Sequence, residues 1–141
     1  MTDEMLLKLK ALLIKNEGIR EHVYLDSVGV PTIGVGRNLK DRGVLPDEIE
    51  LMLKNDVYYF YNELWKALPV FKALDDNRQV ALINMAFNLG MRGIMSFKKM
   101  LAYLHLHQYE NAANEMLDSK WATQVKGRAL QLADIIRTGE I

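Results

Sequence analysis

The chain has 141 residues, 50% of them hydrophobic and 26% charged, with 18 basic and 18 acidic side chains and no cysteine. That length and balance suit one globular domain and exclude a disordered or collagen-like chain. Zero formal charge argues against a nucleic-acid binder, which needs surplus cations for phosphate contacts, and the lack of cysteine excludes disulfides, thiolate metal sites and thiol chemistry.

The first element reads as a helix. Thr2 and Asp3 suit its N-cap, Met5, Leu6, Leu9, Leu12 and Leu13 recur at helical spacing, and Gly18 suits its end. Glu17 follows Leu13 by four residues and so closes the apolar stripe, an unusual place for a carboxylate. The apolar run Ala11-Leu12-Leu13-Ile14 is too short for a signal-peptide core or a membrane span.

A β-hairpin is expected next. His22–Asp26 and Val30–Gly36 are short segments of β-forming residues, and Ser27-Val28-Gly29 is a turn with glycine last. With residues 27–29 as the loop, 24 pairs with 32 and 26 with 30, so Asp26 and Thr32 become near neighbours on one face. Pro31 suggests an edge or bulge.

From Pro46 the chain reads as helical throughout. Pro46 suits a first helical position, and Asp47, Glu48 and Glu50 suit a first turn. The apolar spacing from Ile49 to Leu64 predicts one long helix ending before Pro69. Further helices are expected at about 75–89 (stopped by Gly90), 94–106, 109–117 and 126–137 (stopped by Gly139). Asp75-Asp76-Asn77 reads as a helix N-cap and not a calcium loop, and His105 and His107 point apart on a helix.

Cleaving a glycosidic bond takes two carboxyl groups, one protonated and one ionised. Glu17, at the end of an apolar face, is a candidate acid, and Asp26, beside Thr32 and a turn, is a candidate base. Taken alone, the same residues equally suit a helix-end carboxylate and a turn former.

Glu17-Gly18-Ile19-Arg20, Tyr24-Leu25-Asp26 and Gly29-Val30-Pro31-Thr32-Ile33-Gly34-Val35-Gly36 together resemble the signature of the bacteriophage-type lysozymes, the endolysin muramidases. Lys54-Asn55-Asp56-Val57, the run Ala81–Gly90, Ser119-Lys120-Trp121 and Arg137-Thr138-Gly139 resemble family segments in the same order. The resemblance implies a mostly α, α+β fold of two lobes within one catalytic domain. Its small lobe would hold a β-hairpin over about 1–45, its linking helix about 46–67 and its helical bundle about 68–141. Residues 38–46 look too few for a second hairpin.

The resemblance also implies a mechanism. Glu17 would protonate the leaving oxygen between N-acetylmuramic acid and N-acetylglucosamine in peptidoglycan. Asp26 and Thr32 would activate a water on the opposite face, inverting the anomeric carbon. Phe87 and Asn88 match positions that contact substrate, Asn88 standing where a glutamine is common. Arg37 replaces a histidine that pairs in the family with the aspartate matching Asp56, so an Arg37–Asp56 ion pair is expected. No metal or cofactor is implied. The implied partner is peptidoglycan alone, met by a monomer that inserts into no membrane. The protein would be made in the host cytoplasm without a signal peptide and reach the wall through a separate holin or another route. The other readings are a lytic transglycosylase and a non-catalytic wall-binding relative.

Of the remaining features, Tyr58-Tyr59-Phe60-Tyr61 must leave at least one ring exposed on a helix, and Trp121 reads as core.

Overall fold

Seven helices and three short strands make up residues 1–141, all of which the computed structural model describes. By contacts the chain forms two units, Met1–Leu51 and Met52–Ile141.

The first unit opens with helix α1 (Asp3–Glu17). The Thr2 hydroxyl accepts from the Met5 N–H at 3.2 Å, and Asp3 and Glu4 complement the positive end of the helix dipole. Gly18, at φ +77°, ends the helix and donates its N–H to Ile14 O. No residue of α1 is buried, so its apolar stripe stays at the surface.

Strands β1 (Arg20–Leu25), β2 (Pro31–Gly34) and β3 (Arg37–Asn38) follow, forming an antiparallel sheet in the order β1-β2-β3. The expected pairing holds, with Tyr24 opposite Thr32 and Asp26 N bonded to Val30 O. Two expectations are corrected. Pro31 does not lie on an edge strand: β2 is central, and it tolerates proline because Pro31 is its first residue, while the irregularity in the β1–β2 pairing falls on β1 between Arg20 and Tyr24. A second hairpin does form, because glycines at both ends of Gly34-Val35-Gly36, each at positive φ, turn what reads as strand into a tight reversal. Ile33 pairs with Arg37, and Thr32 with Asn38.

Helix α2 (Pro46–Ala67) carries the chain across the boundary at residue 51. In the second unit a 3₁₀ turn (Pro69–Ala73) leads to α3 (Asp76–Met95), α4 (Lys98–His105), α5 (Tyr109–Leu117), α6 (Lys120–Val125) and α7 (Gly127–Thr138). Asp75 caps α3 by accepting from Arg78 N–H. Gly90 is non-helical at φ +74°, as its reading as a stop required, but the helix resumes and runs to Met95. The 3₁₀ turn and six-residue α6 are too short to show a helical period.

The hydrophobic core runs from Leu64 to Ile136 and lies wholly in this unit. Phe71, Leu82, Met85, Met100, Leu104 and Met116 are fully buried in it. Trp121 is core as expected, 4% exposed and edge-on to Phe97. The start of α3 is tied to the end of α7 by Arg78, which donates to Ile136 O at 2.7 Å and lies 3.6 Å from the Tyr109 ring centre. Asn77 adds a bond to Gly139 O. No single helix is long and apolar enough to cross a membrane.

Candidate active site

Within the first unit, the β1–β2 turn is organised around a carboxylate. Asp26 Oδ1 accepts the Val28 N–H at 2.9 Å and the Val30 N–H at 2.8 Å. Aspartate suits this place because its short side chain can satisfy its own turn's amides. Those bonds hold the carboxyl group at one angle.

Thr32 is the one buried polar residue of the molecule, 4% exposed. Its hydroxyl donates to Val30 O at 2.8 Å. A carbonyl can only accept, so the threonine proton is committed there and the hydroxyl oxygen is left as an acceptor. Val30 thus bonds both side chains, Asp26 through its N–H and Thr32 through its carbonyl. A water between Asp26 and Thr32 would meet two acceptors and give up both its protons, leaving its lone pairs free for attack.

Glu17 ends α1 and is exposed. An apolar, buried surround was expected from the stripe that it closes. Instead its carboxyl end lies against the turn between β2 and β3. A Cβ built on Gly36 would come 3.1 Å from Glu17 Oε2 and 3.3 Å from Cδ.

The Arg37 ion pair is made, but with Glu48 and not Asp56. The guanidinium donates to both Glu48 oxygens, at 2.7 and 2.6 Å, and to Gly43 O at 3.1 Å. Glu48 stands in the first turn of α2 and also accepts Leu45 N–H. Its capping position therefore brings it to Arg37 within the same unit. The Arg37 hydrogen bonds, followed by the Leu45 amide, lower the Glu48 pKa from 4.5 to about 2. The same carboxylate raises the pKa of Arg37.

In the second unit, Phe87 is 42% exposed, tilts against Phe60 at 5.6 Å, and lines a groove of about 380 Å³ with Leu53, Val57, Val80 and Ile83. Asn88 is committed in part, since its Oδ1 accepts the Trp121 indole N–H at 2.7 Å. Tyr58 and Tyr59 are each 57% exposed. No three His, Asp or Glu side chains are grouped to hold a metal ion.

Sequence reasoning missed Glu48 and Gly36. The first reads as an ordinary first-turn acid. The second is visible only as a glycine, since its neighbour Glu17 is nineteen positions away in sequence.

Comparison with known proteins places the chain in a family. The family model described as Phage lysozyme matches residues 14–137. Probable T4-type lysozyme 1 of Dictyostelium discoideum is 25% identical, over 97% of this chain and 98% of that protein. Endolysin of Salmonella phage P22 is 30% identical, over 74% of this chain and 75% of that protein. The pre-baseplate central spike protein Gp5 of Enterobacteria phage T4 is 28% identical over 96% of this chain, which spans only 28% of that protein's length.

Proposed function

We propose, for a chain that belongs to the phage lysozyme family and is on that ground a peptidoglycan-cleaving glycoside hydrolase, that cleavage falls on the β-1,4 bond between N-acetylmuramic acid and N-acetylglucosamine. Glu17 is the general acid. It gives its proton to the glycosidic oxygen as the bond to the anomeric carbon breaks. Asp26 is the general base. Its carboxylate takes one proton of a water whose other proton is held by the Thr32 hydroxyl oxygen. The water oxygen then bonds the anomeric carbon from the face opposite the leaving group, so the configuration inverts.

The observation that carries this reading is the bonding of Val30. It leaves the Thr32 hydroxyl oxygen as an acceptor and holds the Asp26 carboxylate against its own turn, so a water that met both would find two acceptors and no donor. A retaining enzyme would need a nucleophilic carboxylate and not a held water. Phe87 and the Asn88 amide nitrogen are proposed glycan contacts of the second unit. Release of such an enzyme from the host cytoplasm to the wall, by a holin or another route, would lyse the cell.

The test is digestion of isolated peptidoglycan, with the released ends identified by mass and the first-formed anomer by NMR. Hydrated, reducing N-acetylmuramic acid ends that appear first as the α-anomer, and vanish in Glu17→Gln, are expected. Anhydro ends, or binding without cleavage, would overturn the proposal.

A further inference from the structure

Helix α2 carries a row of rings that the proposed chemistry does not involve. Lys54, Tyr58, Tyr61 and Trp65 recur every three or four residues and so share one face, all within the second unit. Tyr58 is exposed, and Trp65 is 40% exposed. Scattered apolar side chains are ordinary on a surface, but a contiguous row of large rings marks a contact surface.

The row is fixed in place. Tyr61 and Trp65 lie 5.7 Å apart and within 26° of parallel. Phe71, fully buried in the core, meets both edge-on, at 74° and 84°. These two rings cannot turn without disturbing the core, so a ligand need not order them on binding.

The charge around the row is one-sided. Lys54 begins it. Lys72, from the 3₁₀ turn, ends it with its ammonium 5.4 Å from the Trp65 ring centre. Neither lysine has a carboxylate partner. The acids of α2 within this unit, Asp56 and Glu63, fall on the opposite side of the helix at 3.6 residues per turn, and Glu63 is paired with Lys66. Fixed rings flanked by two unpaired cations suit an anionic ligand that has flat apolar faces.

A peptidoglycan strand has both properties. The axial C–H groups of a pyranose make a flat, slightly positive face, which the negative face of an aromatic ring attracts. Each muramic acid also carries a lactyl group and peptide stem whose carboxylates an ammonium can meet. Tyr58 and Trp65 are seven residues apart, about 10 Å along the helix axis, which gives neighbouring sugars a ring each.

We propose that Lys54, Tyr58, Tyr61, Trp65 and Lys72 form an accessory glycan-binding strip that holds a peptidoglycan strand without cleaving it. The strip contains no carboxyl group to serve as acid or base, and it includes none of Glu17, Asp26, Thr32, Phe87 and Asn88. It rests on the peptidoglycan-cleaving reading above only for the identity of its ligand.

The chain has two tryptophans, and Trp121 is 4% exposed, so acrylamide quenching of fluorescence reads Trp65. In the whole chain carrying Glu17→Gln, which leaves the ligand intact, soluble peptidoglycan fragments should shield Trp65 from acrylamide. Polyglutamate, an anion without sugars, should not. Tyr58→Ser should weaken fragment binding by about 2- to 10-fold, the worth of one aromatic contact. Lys54→Gln combined with Lys72→Gln should weaken it at low salt and much less at high salt. Tyr59→Ser, equally exposed but off the row, is the control and should change nothing.

No shielding by the fragments, equal shielding by polyglutamate, or an equal loss in Tyr59→Ser would overturn the proposal. So would shielding that grows with protein concentration alone, the mark of a second copy of the chain on this face. Cleavage of isolated peptidoglycan by the wild type is scored separately. A protein that cleaves without shielding of Trp65 lacks the strip. One that shields Trp65 but does not cleave keeps the strip and loses the catalytic reading.

Discussion

The two units of this chain are ordered by different forces. Residues 64–136 contain every buried apolar side chain, and helices α3, α5 and α7 pack around them. Residues 1–51 bury only Thr32. Their shape comes from directional bonds: the capped ends of α1, the Asp26 amide pair, the Val30 carbonyl and the Arg37–Glu48 fork. Apolar burial is non-directional, so it supplies stability without aiming any one atom. Hydrogen bonds have narrow angular ranges, so they can aim a carboxylate. The proposed acid Glu17, the proposed base Asp26 and Thr32 all lie on the hydrogen-bonded unit. Substitutions there should change rate more than stability, and substitutions in the core should do the reverse.

The largest expected effect tests the first half of that contrast. Asp26→Asn keeps an oxygen for the Val28 and Val30 amides but removes the base. Glycan cleavage should fall by about 10²–10⁴-fold, while the urea midpoint stays near wild type. An equal collapse in stability would break the comparison. Leu82→Ala tests the other half. It empties a fully buried position of α3 and should cost about 2–5 kcal/mol. Urea unfolding measures that loss, and kcat well below the transition should be unchanged.

The same contrast explains what was legible in the sequence. Long helices declare themselves by period, and the hairpin by its turn, so the α+β class and the Tyr24–Thr32 register could be read directly. The family signature singled out Glu17, Asp26 and Thr32 as candidates. Non-local pairings carry no such period. Arg37 had two acidic residues on the same helix to choose between, and the choice of Glu48 over Asp56 depended on how the turn after β3 closes. The approach of Gly36 to Glu17 depends on two backbone segments meeting.

Asn88 is where a residue matched to substrate contact also serves the core. Its Oδ1 is the acceptor for the indole N–H of Trp121, which is 4% exposed. Asn88→Ala leaves that donor without a partner. The expected cost is about 1–3 kcal/mol, seen in thermal or urea unfolding. Asn88→Asp keeps an acceptor and should restore most of it. Loss of activity in both variants with stability restored in the second would separate a glycan contact from the core role.

The smallest effect is a pH dependence that bears on the first unit alone. The Glu48 pKa falls from 4.5 to about 2 because Arg37 and then the Leu45 amide bond its ionised form. The folded state thus binds a proton less readily than the unfolded one. Such a group stabilises the fold fully above the unfolded value, and the contribution fades as pH falls toward the folded value. Between those limits the wild type should lose stability on acidification faster than Glu48→Gln, which cannot titrate. The two curves should be most separated above about pH 4.5 and converge toward about pH 2. Because the pair is partly open to solvent, added salt should narrow the separation. A global melt dominated by the second unit would hide so local a term. Hydrogen exchange at the amides of residues 33–38, measured across that pH range, reads the first unit directly and should show the convergence first.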